Sequence, residues 1–136
     1  MSAGTEFCWP IRVYWEDTDA GGIVFYANYL KFFERARTEW LRSLGVHQRE
    51  LREAQGGMFV VGGATLDYHG PARLDDEIEV TARVETLGRA SLVLAQQAWR
   101  IEAGARARLL CSGRIRVGWV NAAELKPARI DRKSVV

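Results

Sequence analysis

A carboxylate lies beside two glycines and a long apolar segment near the beginning of the chain. The residues are Asp17, Asp19, Gly21 and Gly22, within the run Asp-Thr-Asp-Ala-Gly-Gly. Paired glycines permit a tight turn and let a ligand approach the backbone closely. If a helix begins just after them, its first N–H groups lack partners within the helix and carry partial positive charge. Such a pairing suits acyl transfer, because the carboxylate attacks or activates water while the N–H groups stabilise the oxyanion.

Spacing alone leaves three other interpretations of these acidic residues open. A calcium-binding loop that began at Asp17 would have Gly22 at its sixth position, as such loops require. It would, however, have Asn28 in place of the glutamate at its twelfth position and Gly21 where an oxygen ligand is needed. Either aspartate could instead cap the helix, or both could be solvated charges of a loop.

The composition argues against several other chemistries. Two histidines and two cysteines, without an HExxH or CxxC motif, are too few for a zinc site built from these ligands. No GxSxG motif surrounds a serine, and the nucleotide-binding glycine motifs are missing. A net charge of +2 over 136 residues is far from that of a nucleic-acid-binding protein. We therefore expect no metal, no cofactor and no nucleic-acid partner.

The sequence also predicts a location. The first twelve residues lack the apolar region of a secretory signal, and the longest apolar run, 58–66, is about half a membrane span. We expect a cytoplasmic protein without a transmembrane segment and with reduced cysteines. Cys8 and Cys111 have no basic activator nearby in sequence, which favours inert sheet or core residues.

Hydrophobic periodicity predicts the elements that would position the acidic segment. Residues 7–16 alternate as a half-buried strand does, with Ile11, Val13 and Trp15 on one face. After the glycines, a period of three to four residues predicts one amphipathic helix of about 18 residues, which Gly45 ends. Its apolar stripe comprises Tyr26, Tyr29, Phe33, Ala36, Trp40 and Leu44, with Leu30 and Leu41 beside it.

The remainder of the chain predicts strands. Residues 58–68 are apolar on both faces, which favours a strand buried by the helix. Three more strands are predicted at 77–85, 91–101 and 106–117, with hairpin turns at 87–89 and 103–104 and a possible short helix at 47–53. In the last strand, Leu110 falls on the same face as the alternating arginines. Strands in series predict an α+β fold, with an antiparallel sheet wrapped around one long helix in a single domain of residues 1–136.

The segment from Val13 to Gly45 resembles the hotdog-fold acyl-CoA thioesterases of the 4-hydroxybenzoyl-CoA thioesterase superfamily. Within it, the chain is similar to the Tol–Pal-associated thioesterases, often called YbgC. The runs EDTDAGGIV and ANYLKFFERARTEWL carry the resemblance, and pieces at 68–72 and 113–117 agree with it. The resemblance implies a five-stranded hotdog fold and hydrolysis of acyl-CoA to an acid and CoA. It also implies a homodimer or a dimer-of-dimers tetramer.

The resemblance implies roles for two residues in the chemistry. Asp19 would be the nucleophile or the general base, and the backbone N–H of Tyr26 would donate to the oxyanion. Many Tol–Pal-associated members have histidine where this chain has Tyr26, and a tyrosine there is similar to the hydroxybenzoyl-CoA branch. Transfer of the substrate preference is therefore not expected from the resemblance.

Further residues would bind the substrate. Gly21 and Gly22 would line the site, and Arg89, Lys126 and Arg129 would bind the phosphates of CoA, as basic side chains do. One alternative substrate is an acyl group on acyl carrier protein, which would dock on the basic face. Another alternative is a binding protein, associated with Tol–Pal or lipid synthesis, with little hydrolysis.

Overall fold

The structure is a computed structural model that describes residues 5–45, 56–121 and 123–129. The short helix considered at 47–53 lies outside the described residues. The elements, in chain order, are β1 (Phe7–Arg12), a 3₁₀ turn (Trp15–Asp17), α1 (Asn28–Ser43), β2 (Gly57–Tyr68), β3 (Glu77–Leu87), β4 (Ser91–Glu102) and β5 (Ala105–Asn121). The order of one strand, one long helix and then four strands is as the periodicity predicts.

The strands form one antiparallel sheet in the order β1-β3-β4-β5-β2. β3, β4 and β5 follow one another through the two predicted hairpin turns. Ala103 and Gly104 have φ angles of 51° and 78°. Positive φ at both central residues is the geometry of a type I′ turn, which matches the twist of the flanking strands. β2 is not paired with β3, its neighbour in sequence, but lies at the far edge beside β5.

Helix α1 packs its apolar side against the sheet, where it contacts β1, β3 and β4. Phe32, Phe33 and Ala36 are completely buried. Four residues of the predicted apolar stripe are buried as expected: Tyr29, Phe33, Ala36 and Trp40. Leu30, which was predicted beside the stripe, is exposed, and Phe32 is buried instead. The helix is shorter than predicted because it begins at Asn28, so Tyr26 precedes it.

The end of the helix is as predicted. Leu44 closes the last turn by donating its N–H to the carbonyl of Leu41, at 3.0 Å. Gly45 follows with a φ of 81°, a left-handed conformation that glycine adopts at little cost.

The prediction that β1 continues to residue 16 is wrong. Ile11 and Val13 are buried as expected, but Trp15 is 74% exposed. The chain leaves the sheet after Arg12 and forms the 3₁₀ turn, which breaks the alternation. This turn directs Asp17 inward, where 2% of its surface remains accessible.

The prediction that α1 buries β2 is also wrong. Six of the twelve residues of β2 are exposed, and Val61 is 51% exposed. The physical reason is position: β2 is an edge strand, and only one of its edges is paired within the described part of the chain. An apolar edge strand of this kind is a surface on which another chain could pair.

A bulge changes the alternation of β5. Ala98 pairs with Cys111 but Trp99 pairs with Leu109, so Leu110 is an extra residue. Leu110 is therefore fully buried, and the prediction that it shares the face of the arginines is wrong. Cys111 is fully buried too, as expected of a core residue.

Both cysteine thiols are held in the protonated form at neutral pH. Burial raises the pKa of Cys111 to about 12. Cys8 is exposed on β1, yet partial desolvation and the charges of Glu79 and Glu6 raise its pKa to about 11. Because the thiolate is the reactive form, neither cysteine is a good nucleophile in this fold.

Gly113 of β5 allows a close approach between the helix and the sheet. A Cβ at this position would lie 2.4 Å from Cδ2 of Leu66 and 3.1 Å from Cε2 of Phe33. With a Cβ at this position, Leu66 and Phe33 would have to shift, so the glycine preserves their packing. It lets the ring of Phe33 lie directly on the backbone of the sheet.

We predict that Gly113→Ala lowers the free energy of unfolding by about 1–3 kcal/mol, because the added methyl overpacks the core. The matched control is Gly118→Ala in the same strand, where no atom lies within 3.7 Å of the added Cβ and the nearest is 3.8 Å away. That variant should be neutral or slightly stabilising, since alanine costs less backbone entropy than glycine. Urea unfolding measures both, and equal destabilisation by the two variants would contradict the packing argument.

Candidate active site

The acidic run folds into a tight hairpin between the 3₁₀ turn and α1. Thr18 and Val24 pair across it. The N–H of Asp19 donates to the carbonyl of Ile23 at 2.9 Å, and the N–H of Gly22 donates back to the carbonyl of Asp19 at 3.0 Å. Gly22 has a φ of 74°, which is strained for residues with a side chain. The first of the two predicted roles of the glycines, a tight turn, is therefore observed.

One oxygen of the Asp19 carboxylate is held by this hairpin. Oδ1 accepts the N–H of Gly21 at 2.9 Å and the N–H of Ile23 at 3.4 Å. A Cβ on Gly21 would lie 3.3 Å from the same oxygen, so glycine keeps the approach open. Within residues 5–45, 56–121 and 123–129, Oδ2 has no hydrogen-bond partner. The side chain is exposed, so it is oriented by one oxygen and can present the other to a ligand.

The geometry argues against two of the alternatives for these aspartates, a helix cap at Asp19 and a calcium loop that begins at Asp17. Asp19 does not cap α1, because the N-cap residue is Ala27 and no side chain caps it. A calcium loop is not favoured, because both oxygens of Asp17 are engaged inside the protein. Among the described residues, no group of three or more His, Cys, Asp or Glu side chains could hold a metal ion.

Asp17 connects the loop to the helix. Its Oδ2 accepts the N–H of Tyr14 at 2.9 Å, and its Oδ1 accepts the side-chain amide of Asn28 at 3.1 Å. Asn28 is the first residue of α1 and is 1% exposed. For Asp17, the sequence indicated only a calcium ligand, a helix cap or a loop charge. This role could have been proposed from the general rule that a buried carboxylate needs hydrogen-bond donors.

The beginning of α1 presents free backbone donors. The N–H of Asn28 donates to the carbonyl of Phe25 at 3.0 Å, and that of Tyr29 to the carbonyl of Tyr26 at 3.2 Å. In the described part of the chain, the N–H groups of Tyr26 and Ala27 have no acceptor. Unpaired donors at a helix N-terminus attract negative charge. They lie where the resemblance implies an oxyanion donor.

A segment after β2 supports the hairpin and the helix start. The N–H of Val24 donates to the carbonyl of Ala72 at 2.9 Å, and the N–H of Leu74 to that of Gly22 at 3.0 Å. Tyr68, the last residue of β2, donates its hydroxyl to the carbonyl of Tyr26 at 3.1 Å. Sequence reasoning assigned no role to Tyr68. No local pattern could have done so, because its partner lies 42 positions earlier.

The three predicted CoA-binding residues lie at the other end of the sheet. Arg89 is in the turn between β3 and β4, and Lys126 and Arg129 follow β5. Backbone hydrogen bonds of Trp119, to Ala90 at 2.8 Å and from Ala128 at 2.9 Å, hold the turn and the tail together. All three basic side chains are exposed.

The structure thus separates the predicted site residues into two groups. Asp19, Gly21, Gly22 and Tyr26 lie together beyond the end of β1, which is paired with the beginning of β3. Arg89, Lys126 and Arg129 lie beyond the end of β3. At roughly 3.3 Å per residue, the 11 residues of β3 span about 35 Å. One chain alone does not bring the two groups together.

A cavity of about 150 Å³ lies between the second half of α1 and strands β2, β4 and β5. Its walls are mainly apolar, and Glu34, Arg37 and Thr38 lie at its polar side. Arg37 is held by Gln96, whose Oε1 accepts its guanidinium at 2.9 Å, while burial lowers the pKa of Arg37. Glu34 is six positions after the first residue of α1, about 9 Å along the helix axis.

Comparison with known proteins decides the family. The family model described as the thioesterase superfamily matches residues 21–106, which is more than half of the chain. The chain belongs to the thioesterase superfamily. The acyl-CoA thioester hydrolase YbgC of Escherichia coli O6:H1 is 42% identical to this chain. The similarity covers 97% of this chain and 94% of the relative.

A second relative and a solved structure agree. The acyl-CoA thioesterase YbgC of Haemophilus influenzae is 39% identical over 93% of this chain and 90% of its own. The structure of 4-hydroxybenzoyl-CoA thioesterase from Pseudomonas sp. strain CBS-3 has a TM-score of 0.86 and 18% identity, with 96% of both chains covered. At that identity the likeness shows the fold alone. The predicted hotdog fold of this superfamily member is confirmed. Within its described residues, no helix is long and apolar enough to cross a membrane.

We predict that Asp17→Asn lowers both stability and turnover. The amide keeps one acceptor oxygen and turns a second donor toward Tyr14 or Asn28, so one buried hydrogen bond is lost at a cost of about 1–3 kcal/mol. Urea unfolding and thioester hydrolysis measure the two effects. Glu16→Gln, at the exposed neighbouring position, is the matched control and should change neither. An Asp17→Asn protein with normal stability would show that the buried contact does not hold the loop.

Proposed function

We propose that this chain hydrolyses acyl-CoA thioesters, with Asp19 as the catalytic carboxylate and the N–H of Tyr26 as the oxyanion donor. The observation that carries the proposal is the junction between hairpin and helix. An exposed, partly bonded carboxylate and unpaired N–H groups lie within eight positions of each other. The two relatives that are named acyl-CoA thioesterase or thioester hydrolase support this chemistry. The chain is an enzyme, a thioester hydrolase.

The hydrogen bonds of Asp19 indicate how the reaction would proceed. Oδ1 is fixed by the hairpin, so Oδ2 is the oxygen that faces the thioester carbonyl. It either attacks the carbonyl carbon, with CoA leaving as its thiolate and water then hydrolysing the anhydride, or it accepts a proton from an attacking water. In both routes the carbonyl oxygen gains negative charge. The N–H of Tyr26, at the positive end of the helix, stabilises that charge.

The arrangement of the two residue groups supports a site shared between subunits. In one chain, Asp19 and Tyr26 lie beyond one end of β3 and Arg89 lies beyond the other, and β3 itself is about 35 Å long. A second copy of the chain can bring its own basic end to the Asp19 hairpin of the first. The exposed side chains of Trp15 and Tyr26, at 74% and 72%, and the apolar edge strand β2 are surfaces that such a contact would cover. We therefore propose a homodimer as the smallest active unit, with a dimer of dimers as the larger assembly.

The cavity beside α1 is the proposed place of the acyl group. Its volume is about 150 Å³, and an apolar cavity of about 150 Å³ in another protein is known to hold a benzene molecule. An acyl group that lies wholly within this cavity is therefore short or a single ring. A long fatty acyl chain would extend beyond the cavity, and we expect hydrolysis to fall with chain length.

The proposal also names the carrier of the acyl group and the location of the protein in the cell. CoA is the carrier that we propose, because Arg89, Lys126 and Arg129 together suit its phosphates. Acyl carrier protein is the other candidate, and docking of such an acidic protein would make KM rise steeply with salt. An acyl-CoA substrate and two cysteines that form no disulfide agree with a cytoplasmic location.

We predict that Asp19→Asn lowers kcat/KM by roughly 10²-fold or more, because the amide can neither attack nor accept a proton. Asparagine preserves the shape and the hydrogen bond to Gly21, so stability should be close to that of the wild type. Release of free thiol from a series of acyl-CoA substrates, from acetyl to palmitoyl and including 4-hydroxybenzoyl, measures the effect. Asp67→Asn, an exposed aspartate on β2, is the matched control. Equal activity of wild type and Asp19→Asn on every substrate would reject the role of Asp19.

We predict that two inactive variants restore activity when their subunits are mixed. One variant is Asp19→Asn, and the other replaces Arg89, Lys126 and Arg129 with alanine. In a shared site, a hybrid dimer contains one site with both Asp19 and the three basic residues intact. After unfolding and refolding together, the mixture should hydrolyse acyl-CoA at low substrate far faster than either parent. A mixture no more active than the average of its parents would show that each site lies within one chain.

A further inference from the structure

Tyr68 contacts the carbonyl group next to the proposed oxyanion donor. It is the last residue of β2 and is 43% exposed. Its hydroxyl donates to the carbonyl oxygen of Tyr26 at 3.1 Å. Its ring lies 4.9 Å from the ring of Tyr26 and 5.8 Å from that of Tyr29. An edge strand of the sheet is in this way tied to the beginning of the helix.

The geometry of the peptide unit gives this contact a specific effect. A trans peptide is planar, and its N–H points away from its C=O. The carbonyl of Tyr26 and the N–H of Ala27 belong to the same peptide unit. A donor that holds the carbonyl therefore fixes the direction of the Ala27 N–H. Through the backbone of Tyr26, it also restricts the direction of the neighbouring Tyr26 N–H.

The helix start needs such support because it has little of its own. Ala27 is the N-cap residue, and no side chain caps the first turn. The carbonyl of Tyr26 also accepts the N–H of Tyr29 at 3.2 Å, so it receives one donor from the helix and one from the sheet. Partial burial raises the pKa of the Tyr68 hydroxyl, so it remains protonated and able to donate at neutral and mildly alkaline pH.

We propose that Tyr68 is a positioning residue that holds the Tyr26–Ala27 peptide unit so that the N–H groups of both residues face the thioester oxygen. The inference rests on the proposed thioesterase function. It adds to that function a residue that does not touch the reacting atoms but sets the direction of the groups that do. It also assigns the N–H of Ala27 as a second donor beside that of Tyr26.

The test is Tyr68→Phe, which keeps the ring contact and removes only the hydroxyl. Removal of a whole oxyanion donor costs about 10²–10³ in rate, so loosening it should lower kcat by about 10-fold. KM should stay within about twofold, because the donors act mainly in the transition state. Tyr14→Phe is the matched control, since this tyrosine is 61% exposed and its ring does not pack on those of Tyr26, Tyr29 and Tyr68. That variant should keep both constants.

A second readout does not depend on activity. In amide NMR spectra, Tyr68→Phe should shift the N–H signals of Tyr26 and Ala27 and speed the exchange of the Tyr29 N–H, which donates to the Tyr26 carbonyl. Signals from the second half of α1 should stay in place. An unchanged kcat, or an increase in KM alone, would overturn the inference even if the amide signals move. Wild type and Asp19→Asn are assayed beside these variants. If wild type and Asp19→Asn are equally inactive, the proposed function fails, and the inference falls with it. If Asp19→Asn is inactive but Tyr68→Phe keeps the kcat and KM of the wild type, the inference alone fails.

Discussion

The buried carboxylate of Asp17 is the constraint on which the geometry of the site depends. It accepts the N–H of Tyr14 before the acidic loop and the side-chain amide of Asn28 at the beginning of α1. A buried carboxylate without donors is costly, so the loop and the helix must remain where both donors reach it. Asp19, two positions later, is thereby held at a fixed place relative to the helix N-terminus.

The order of the strands provides the second support. Because β2 crosses to the far edge beside β5, its last residue ends near the beginning of α1 rather than beside β3. The segment after β2 then runs along the hairpin and donates or accepts backbone hydrogen bonds at Ala72 and Leu74. Three separate parts of the chain thus meet at one helix end. The same strand order leaves β2 with an unpaired edge and sends the basic residues to the opposite end of the sheet.

Local patterns in the sequence predicted what local forces determine. The helix, its end at Gly45, the two hairpins and the positions of β3 and β4 follow from periodicity and glycine placement, and they are confirmed. Long-range features could not be predicted from these local patterns. Three such features depend on which strands pair and on which partners the backbone N–H and C=O groups find. They are the edge position of β2, the inward turn of Asp17 and the bulge at Leu110. For the site, the acidic loop and the free helix donors were predicted, but the residues that hold them were not.

The strand pairing also sets when the site can exist during folding. The hairpins of β3, β4 and β5 join neighbours in sequence, so closing them loses little chain entropy. β1 pairs across a much longer separation, with Arg12 opposite Glu77, and Tyr68 of β2 pairs with Cys111. Contacts between distant parts of a chain form late, because the loop entropy must be lost before they contribute. The acidic hairpin lies between the two strands that join last, so a chain that has formed only its central three strands has the core of the sheet but no site.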